Sequence, residues 1–516
     1  MKLKADLKLM SISFLTLAAL ILFAGCKNPE VPVQTIYVIH NSVLVPHGTG
    51  LYNFDEDSWI DGDDGWKSDA AVFKIVNNGS VDLRIFGVSL SSGNIEDFDI
   101  NIGSLPVTVE PSESTQFGIR FDPLLSMGNR SAVVAIESDD EAVGSYTFTV
   151  KGLVIGWRLP SSGVTPSGLF GCSVGISGNK AIVGSSYDDD YGNKSGSAYV
   201  FHWDGVTWVE KQKLTASDAS ASELFGHSVG ICDNRTVVGA YWDDDNGTDS
   251  GSAYIFSWNG TNWVEQQKIT ASDGAAGDNF GYSVAIDGNR VVVGAEEDDD
   301  NGDNSGSAYI FYWNGSSWVE QQKIVAGDGS AYDAFGVSVD ISGDRAIVGA
   351  SGDDDSGDSS GSAYIFYWNS TNWIQEQKII ASNGVYHDDF GRSVAIEGDR
   401  VIVGAHGTDR TYNDAGSVYY FEWDGSEWTE EQEILASDPK YGDMMGYTVS
   451  FNSNRAVFSG HHTESNNRGH LFKWTGSNWV EQHTFLKPKG EPAIYGDIGI
   501  LGVDDCAYIF DTTFFD

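Results

Sequence analysis

Three consecutive aspartates, Asp188, Asp189 and Asp190, stand in this chain, and the triplet returns at 243–245, 298–300 and 353–355. Hard cations take oxygen ligands, so the outer carboxylates of each triplet (Asp188 with Asp190, Asp243 with Asp245, Asp298 with Asp300, Asp353 with Asp355) are candidate ligands for Ca2+. The alternative is a solvated loop whose Asp and Gly satisfy turn geometry, with Gly192, Gly247, Gly302 and Gly357 each two residues on. Consecutive side chains of an extended segment also diverge, so three aspartates in a row do not amount to three ligands. In the next two equivalent positions the triplet gives way to Thr408-Asp409-Arg410 and to His461-His462-Thr463-Glu464. Asp409, Arg410, His461 and His462 are therefore where a site peculiar to one part of the chain is expected.

Other chemistry is thinly represented. There is no H-E-x-x-H and no phosphate loop, so no catalytic constellation emerges and the expectation is a protein that is not an enzyme. Cys172, Cys232 and Cys506 are far apart and read as free thiols. Twelve of the sixteen tryptophans pair five residues apart, from Trp203 with Trp208 to Trp474 with Trp479. Such pairs are either sugar-stacking platforms or cross-strand packing, and their recurrence favours packing.

These residues are positioned by a repeat. Phe-Gly recurs at Phe170, Phe225, Phe280, Phe335 and Phe390, 55 residues apart, with Met445-Gly446 as a sixth copy. A period of this size signals a repeat architecture. One unit reads as four strands: 280–286, 290–295, 307–313 and 318–324, with turns at Asp287-Gly288-Asn289 and Asn314-Gly315. Four antiparallel strands make one propeller blade. Blades are expected near 170, 225, 280, 335, 390, 445 and 495, and a strand at 157–163 completes the last. A six-bladed ring with a loose tail is the alternative. Strand order puts the triplet loops on the same face as the acidic connections between units, such as Asp273 and Asp278. The hairpin residues Lys180, Arg235, Arg290, Arg345, Arg400 and Arg455 fall on the other face.

Phe280-Gly281 and Gly294-Ala295 with their counterparts resemble the FG-GAP repeats of integrin α-chain propellers and their bacterial relatives, over about 350 residues. Integrin-like calcium loops lie between first and second strands and run roughly D-x-D-x-D-G. Here that turn is only Asp287-Gly288-Asn289, so the resemblance does not carry a calcium site over.

Upstream, residues 46–155 alternate apolar and polar positions in short runs separated by Gly, Asn and Ser clusters, as in a β-sandwich. Phe73 to Gly79, Val109-Glu110-Pro111, Phe121-Asp122-Pro123 and Gly128-Asn129-Arg130 resemble the Ig-like modules of the abnormal-spindle/Hydin group, including bacterial choice-of-anchor proteins. That resemblance covers about 90 residues and implies a spacer or interaction module. The fold class expected is all-β: an Ig-like sandwich followed by a seven-bladed propeller over 156–516.

The first 25 residues carry Lys2, Lys4 and Lys8, an apolar run, and then Ala24-Gly25 before Cys26. This resembles a bacterial lipoprotein signal, with Cys26 as the lipidated N-terminus and 26–45 as a tether; an ordinary secretory leader is the alternative. The expected location is the cell envelope, at the outer membrane or cell surface, with membrane contact through the lipid alone. The net charge of −44 excludes nucleic-acid binding, which needs clustered Lys and Arg. Together these features imply adhesion or scaffolding through the acidic propeller face, with a protein or glycan ligand. A propeller-based glycan hydrolase or lyase and a purely structural envelope protein are the alternatives.

Overall fold

The computed structural model describes residues 36–40, 43–45, 51–53, 71–93, 95, 98–121, 128–140, 143–154, 156–159, 163–164, 168–410, 412–460, 468–486, 488–503 and 506–515. Among them are two five-stranded sheets, followed by seven four-stranded antiparallel sheets. The five-stranded sheets face each other across Phe73, Phe117 and Phe148, whose rings lie 5.1–5.4 Å from one another at the Phe73 contacts. The leader and Cys26 fall outside the described residues. The tether expected over 26–45 is too long: Ile36–His40 pairs with Ala71–Asn77, and Val43–Val45 pairs with Ile36–His40. Val38 and Val45 of this stretch are buried, so it belongs to the sheet.

Each four-stranded unit is built by its sequence motif. In the third, the strands are Ser283–Asp287, Arg290–Ala295, Ser307–Trp313 and Trp318–Ile324. Phe280 is fully buried and meets Tyr309 and Phe311 edge-on, with centroids 5.3 and 6.0 Å away. Gly281 has φ +99°, and a Cβ there would lie 2.3 Å from the Ser252 carbonyl oxygen, so only glycine fits. Ser283 Oγ donates to the Gly336 carbonyl of the next unit at 2.7 Å. Phe, Gly and Ser of Phe-Gly-x-Ser-Val thus have the same structural task in this unit and at its seam with the next, whereas the x residue changes from unit to unit.

Units are also clasped at their outer strands. Gln322 Nε2 donates to the Trp373 carbonyl and its Oε1 accepts from the Trp373 N–H, both at 2.8 Å. Gln212, Gln267, Gln377 and Gln432 make the same two-pronged bond to Trp263, Trp318, Trp428 and Trp479. The tryptophan pairs pack at 5.4–5.8 Å within each hairpin. Arg235, Arg290 and Arg345 reach from one unit over the pair of the next, with centroid distances of 4.9–5.9 Å. The tryptophans are therefore packing elements, and the basic face is occupied with holding neighbours together.

The first strands touch in sequence from unit to unit, and Phe170–Ser177 of the first touches Pro488–Tyr495 of the last. In that last sheet Gly156–Leu159 pairs antiparallel with Cys506–Asp511, so the sheet is assembled from both ends of the repeat region. The expected start near 495 is corrected. Tyr495 ends the first strand of the last sheet, and Gly496, at φ +57°, turns the chain into Ile498–Val503. The sixth sheet ends at Leu486 and the next strand begins at Pro488, so the long connection seen between earlier units is missing and the 55-residue step breaks.

Candidate functional site

The aspartate triplets surround a lysine. Lys323 Nζ lies 2.9 Å from Asp273, 2.8 Å from Asp298 and 2.6 Å from Asp300. Lys268 and Lys378 repeat this arrangement with Asp218, Asp243, Asp245 and with Asp328, Asp353, Asp355. Lys213 pairs with Asp188 and Asp190. The first aspartate is buried and takes a second bond from a tyrosine hydroxyl, as from Tyr309 to Asp298 at 2.9 Å. The middle aspartate closes the loop: Asp299 Oδ1 accepts the Asn304 N–H at 2.7 Å, and Asp189, Asp244 and Asp354 act likewise. Burial works against the charge of Lys323, yet its carboxylates outweigh burial and push its pKa up. Among the described residues, no group of three or more His, Cys, Asp or Glu side chains is placed to hold a metal ion.

The fifth unit keeps this network with its charges exchanged. Glu433 stands where lysine stood, and Arg410 of the loop bonds it at 2.9 Å. Arg410 also reaches Asp388 at 3.2 Å and the Tyr419 hydroxyl at 2.9 Å. Thr408 replaces the buried aspartate and bonds Ser417, while Asp409 retains the loop-closing role, accepting the Asp414 N–H at 2.8 Å. Asp409 and Arg410 thus belong to the scaffold. His461 and His462 lie outside the described residues.

The acidic loops do share a face with the connections between units. Gly306 bridges Phe335, and the same parallel bridge joins Gly196 to Phe225, Gly251 to Phe280, Gly361 to Phe390 and Gly416 to Met445. This face is where the first strands begin, and between those strands runs a cavity of about 550 Å3. Its mouth is lined by the x residue of Phe-Gly-x-Ser-Val, which differs in almost every unit: Cys172, His227, Tyr282, Val337, Arg392 and Tyr447, with Glu491 from the last sheet. Sequence reasoning missed these positions. The signal was present, since x is the one slot of the motif whose chemistry changes from repeat to repeat.

The mouth is electrostatically mixed. Arg392 Nη2 donates to the Tyr447 hydroxyl at 2.9 Å and lies 3.5 Å from the Tyr282 hydroxyl. Its guanidinium carbon sits 4.6 Å from the Tyr447 ring centre. Burial pushes Glu491 and Glu296 up to about 7, with Arg392 opposing the shift in each. Burial also raises Asp340 to about 7, against hydrogen bonds from the Ile396 and Ile341 N–H groups. Burial, then Arg392, lowers His227 to about 4, so its imidazole is neutral at pH 7. Its ring packs between Tyr241 and Tyr282, with centroids 4.5 and 5.1 Å away. Cys172 is a free thiol whose pKa burial raises.

Comparison with known proteins agrees with this architecture. Residues 158–201, 208–256, 263–311, 318–366 and 373–421 each match the FG-GAP repeat. The chain carries FG-GAP repeats. No curated protein matches it in sequence. Among solved structures, a chain of the Mitotic Checkpoint Complex overlaps 69% of this chain and 94% of its own length, at 11% identity and a TM-score of 0.43. The periplasmic gluconolactonase of Pseudomonas aeruginosa overlaps 61% and 87%, at 12% identity and a TM-score of 0.42. Likeness at this level carries no argument about activity.

Proposed function

We propose that the chain is a binding protein of the cell envelope, anchored by lipid at Cys26. Its N-terminal sheets form an Ig-like spacer, and its FG-GAP repeats form a seven-bladed propeller closed by the strand at 156–159. The ligand, a protein or glycan at the cell surface, is taken at the face that carries the acidic loops, with the axial mouth at its centre. One observation carries this reading. The rim carboxylates repeat from unit to unit and are paired with Lys213, Lys268, Lys323 and Lys378, whereas the mouth presents a different side chain from almost every unit. A scaffold repeats itself; a surface that recognises one ligand has no reason to. The test is capture of surface and matrix proteins and glycans by the mature chain. Arg392→Ala and Tyr282→Ala should abolish capture, and Asp300→Asn, at the rim, should leave it intact. The opposite pattern would return the site to the rim.

A second reading is favoured by the carboxyl groups of Glu296 and Glu491, which titrate near neutrality around Arg392, as a general acid or base would. In that reading the mouth is the active site of a glycan hydrolase or lyase. Cleavage within a broad glycan panel, lost in Glu491→Gln, would establish it.

A further inference from the structure

Resting on the reading of the mouth as the binding locus, we propose that Arg392 anchors the carboxylate of a small monoanionic ligand that enters along the axis. The guanidinium carries five donors in a rigid fork that matches a carboxylate. Among the described residues only Nη2 makes a side-chain hydrogen bond, to Tyr447 and Tyr282, and Arg392 forms no ion pair with any described carboxylate. The arginines of the opposite face are used differently: Arg345 pairs with Glu376 and Asp399, and Arg290 with Asp344. Arg392 is thus a positive charge set in the cavity wall with donors to spare.

The surroundings select the charge of the ligand. Arg392 supplies one positive charge, and His227 adds none at pH 7. Asp340 and Glu491 also line the cavity, and Glu296 lies close enough to feel Arg392. A dianionic phosphate would be left with a negative charge facing these groups in a poorly solvated space, where such repulsion is strong. A single carboxylate matches the one charge of the guanidinium and meets less of that repulsion. Glu491 offers a ligand hydroxyl a donor in its protonated form and an acceptor in its ionised form, and the rings of Tyr282 and Tyr447 offer apolar walls. A cavity of about 550 Å3 falls within the usual range for small-ligand sites. These features suit a sugar acid better than a bare organic acid.

Calorimetric titration of the mature chain at pH 7, in a buffer free of carboxylate and phosphate, tests this with glucuronate, lactate, glucose and inorganic phosphate. Glucuronate is expected to bind, with lactate weaker and glucose and phosphate at least about tenfold weaker, one decade being a small change in binding free energy. Arg392→Met is expected to weaken glucuronate about 10- to 100-fold, the range for losing a charge-assisted hydrogen bond. Arg392→Lys, which keeps the charge and loses the fork, should restore only part of the loss. Should these variants fail to fold, phenylglyoxal footprinting of the unaltered chain by mass spectrometry replaces them: Arg392 should be modified, and glucuronate should protect it. Equal binding of glucose or phosphate, no binding of either acid, or an Arg392 unmodified or unprotected would each overturn the proposal. Absent glucuronate binding alongside macromolecular capture that still depends on Arg392 would remove the carboxylate and leave the binding locus standing.

Discussion

Lys323 is the point at which the acidic loops can be tested most sharply. In Lys323→Met the stem keeps its packing and the ammonium is lost. The Asp298 side chain is 5% exposed and the lysine 17%, so removing the ammonium strands a buried carboxylate at about 3–5 kcal/mol. Asp273 and Asp300 are 49% and 57% exposed, and their pairs contribute only about 0.2–1 kcal/mol each. Lys323→Met should therefore cost several times more than Asp300→Asn. Lys323→Glu should cost more still, because it adds a fourth carboxylate to the cluster. The fifth unit shows how to repair it: Asn383, Thr408, Arg410 and Glu433 occupy the corresponding positions. The quadruple variant Asp273→Asn, Asp298→Thr, Asp300→Arg, Lys323→Glu should recover most of the loss. Urea unfolding at pH 7, followed by tryptophan fluorescence with circular dichroism as a second probe, reads all four. A Lys323→Met chain within about 1 kcal/mol of wild type, or a quadruple variant no better than Lys323→Glu, would refute the reasoning.

Millimolar Ca2+ should not raise the melting temperature, because the triplet carboxylates already face an ammonium; a shift of several degrees that disappears in Asp300→Asn would return them to metal binding. Gln322→Leu leaves the Trp373 N–H and carbonyl without partners and should cost about 1–3 kcal/mol in the same urea assay. Glu296 and Glu491 hold protons more tightly in the folded chain than at their ordinary value of 4.5, so their contribution is greatest below that value and falls as pH rises towards 7. Glu296→Gln and Glu491→Gln should flatten that slope in melting curves between pH 4.5 and 8. Asp273 and Asp328 behave oppositely: burial raises their pKa, Lys323 and Lys378 outweigh it, and stability is lost as pH falls below the ordinary aspartate range.

The chain's own sequence determined the repeat, its four strands and the turns between them, because Phe-Gly, Asp-Gly-Asn and the paired tryptophans are local signals with local causes. The 55-residue step also put the acidic loops and the connections on one face. It misplaced the last unit, where a missing connection ended the step, and the tether drawn over 26–45 cut into the N-terminal sheets, whose first strand begins at Ile36. Only the tertiary structure decided what the charges do. An Asp triplet and a lysine 23–25 residues further on are far apart in sequence and meet only when the second-to-third-strand loop folds against the outer strand. The same holds for the candidate site. Cys172, His227, Tyr282, Arg392 and Tyr447 each look incidental within their own repeat. They become one cavity wall because the first strands of successive units converge on a common axis, which no single repeat can specify.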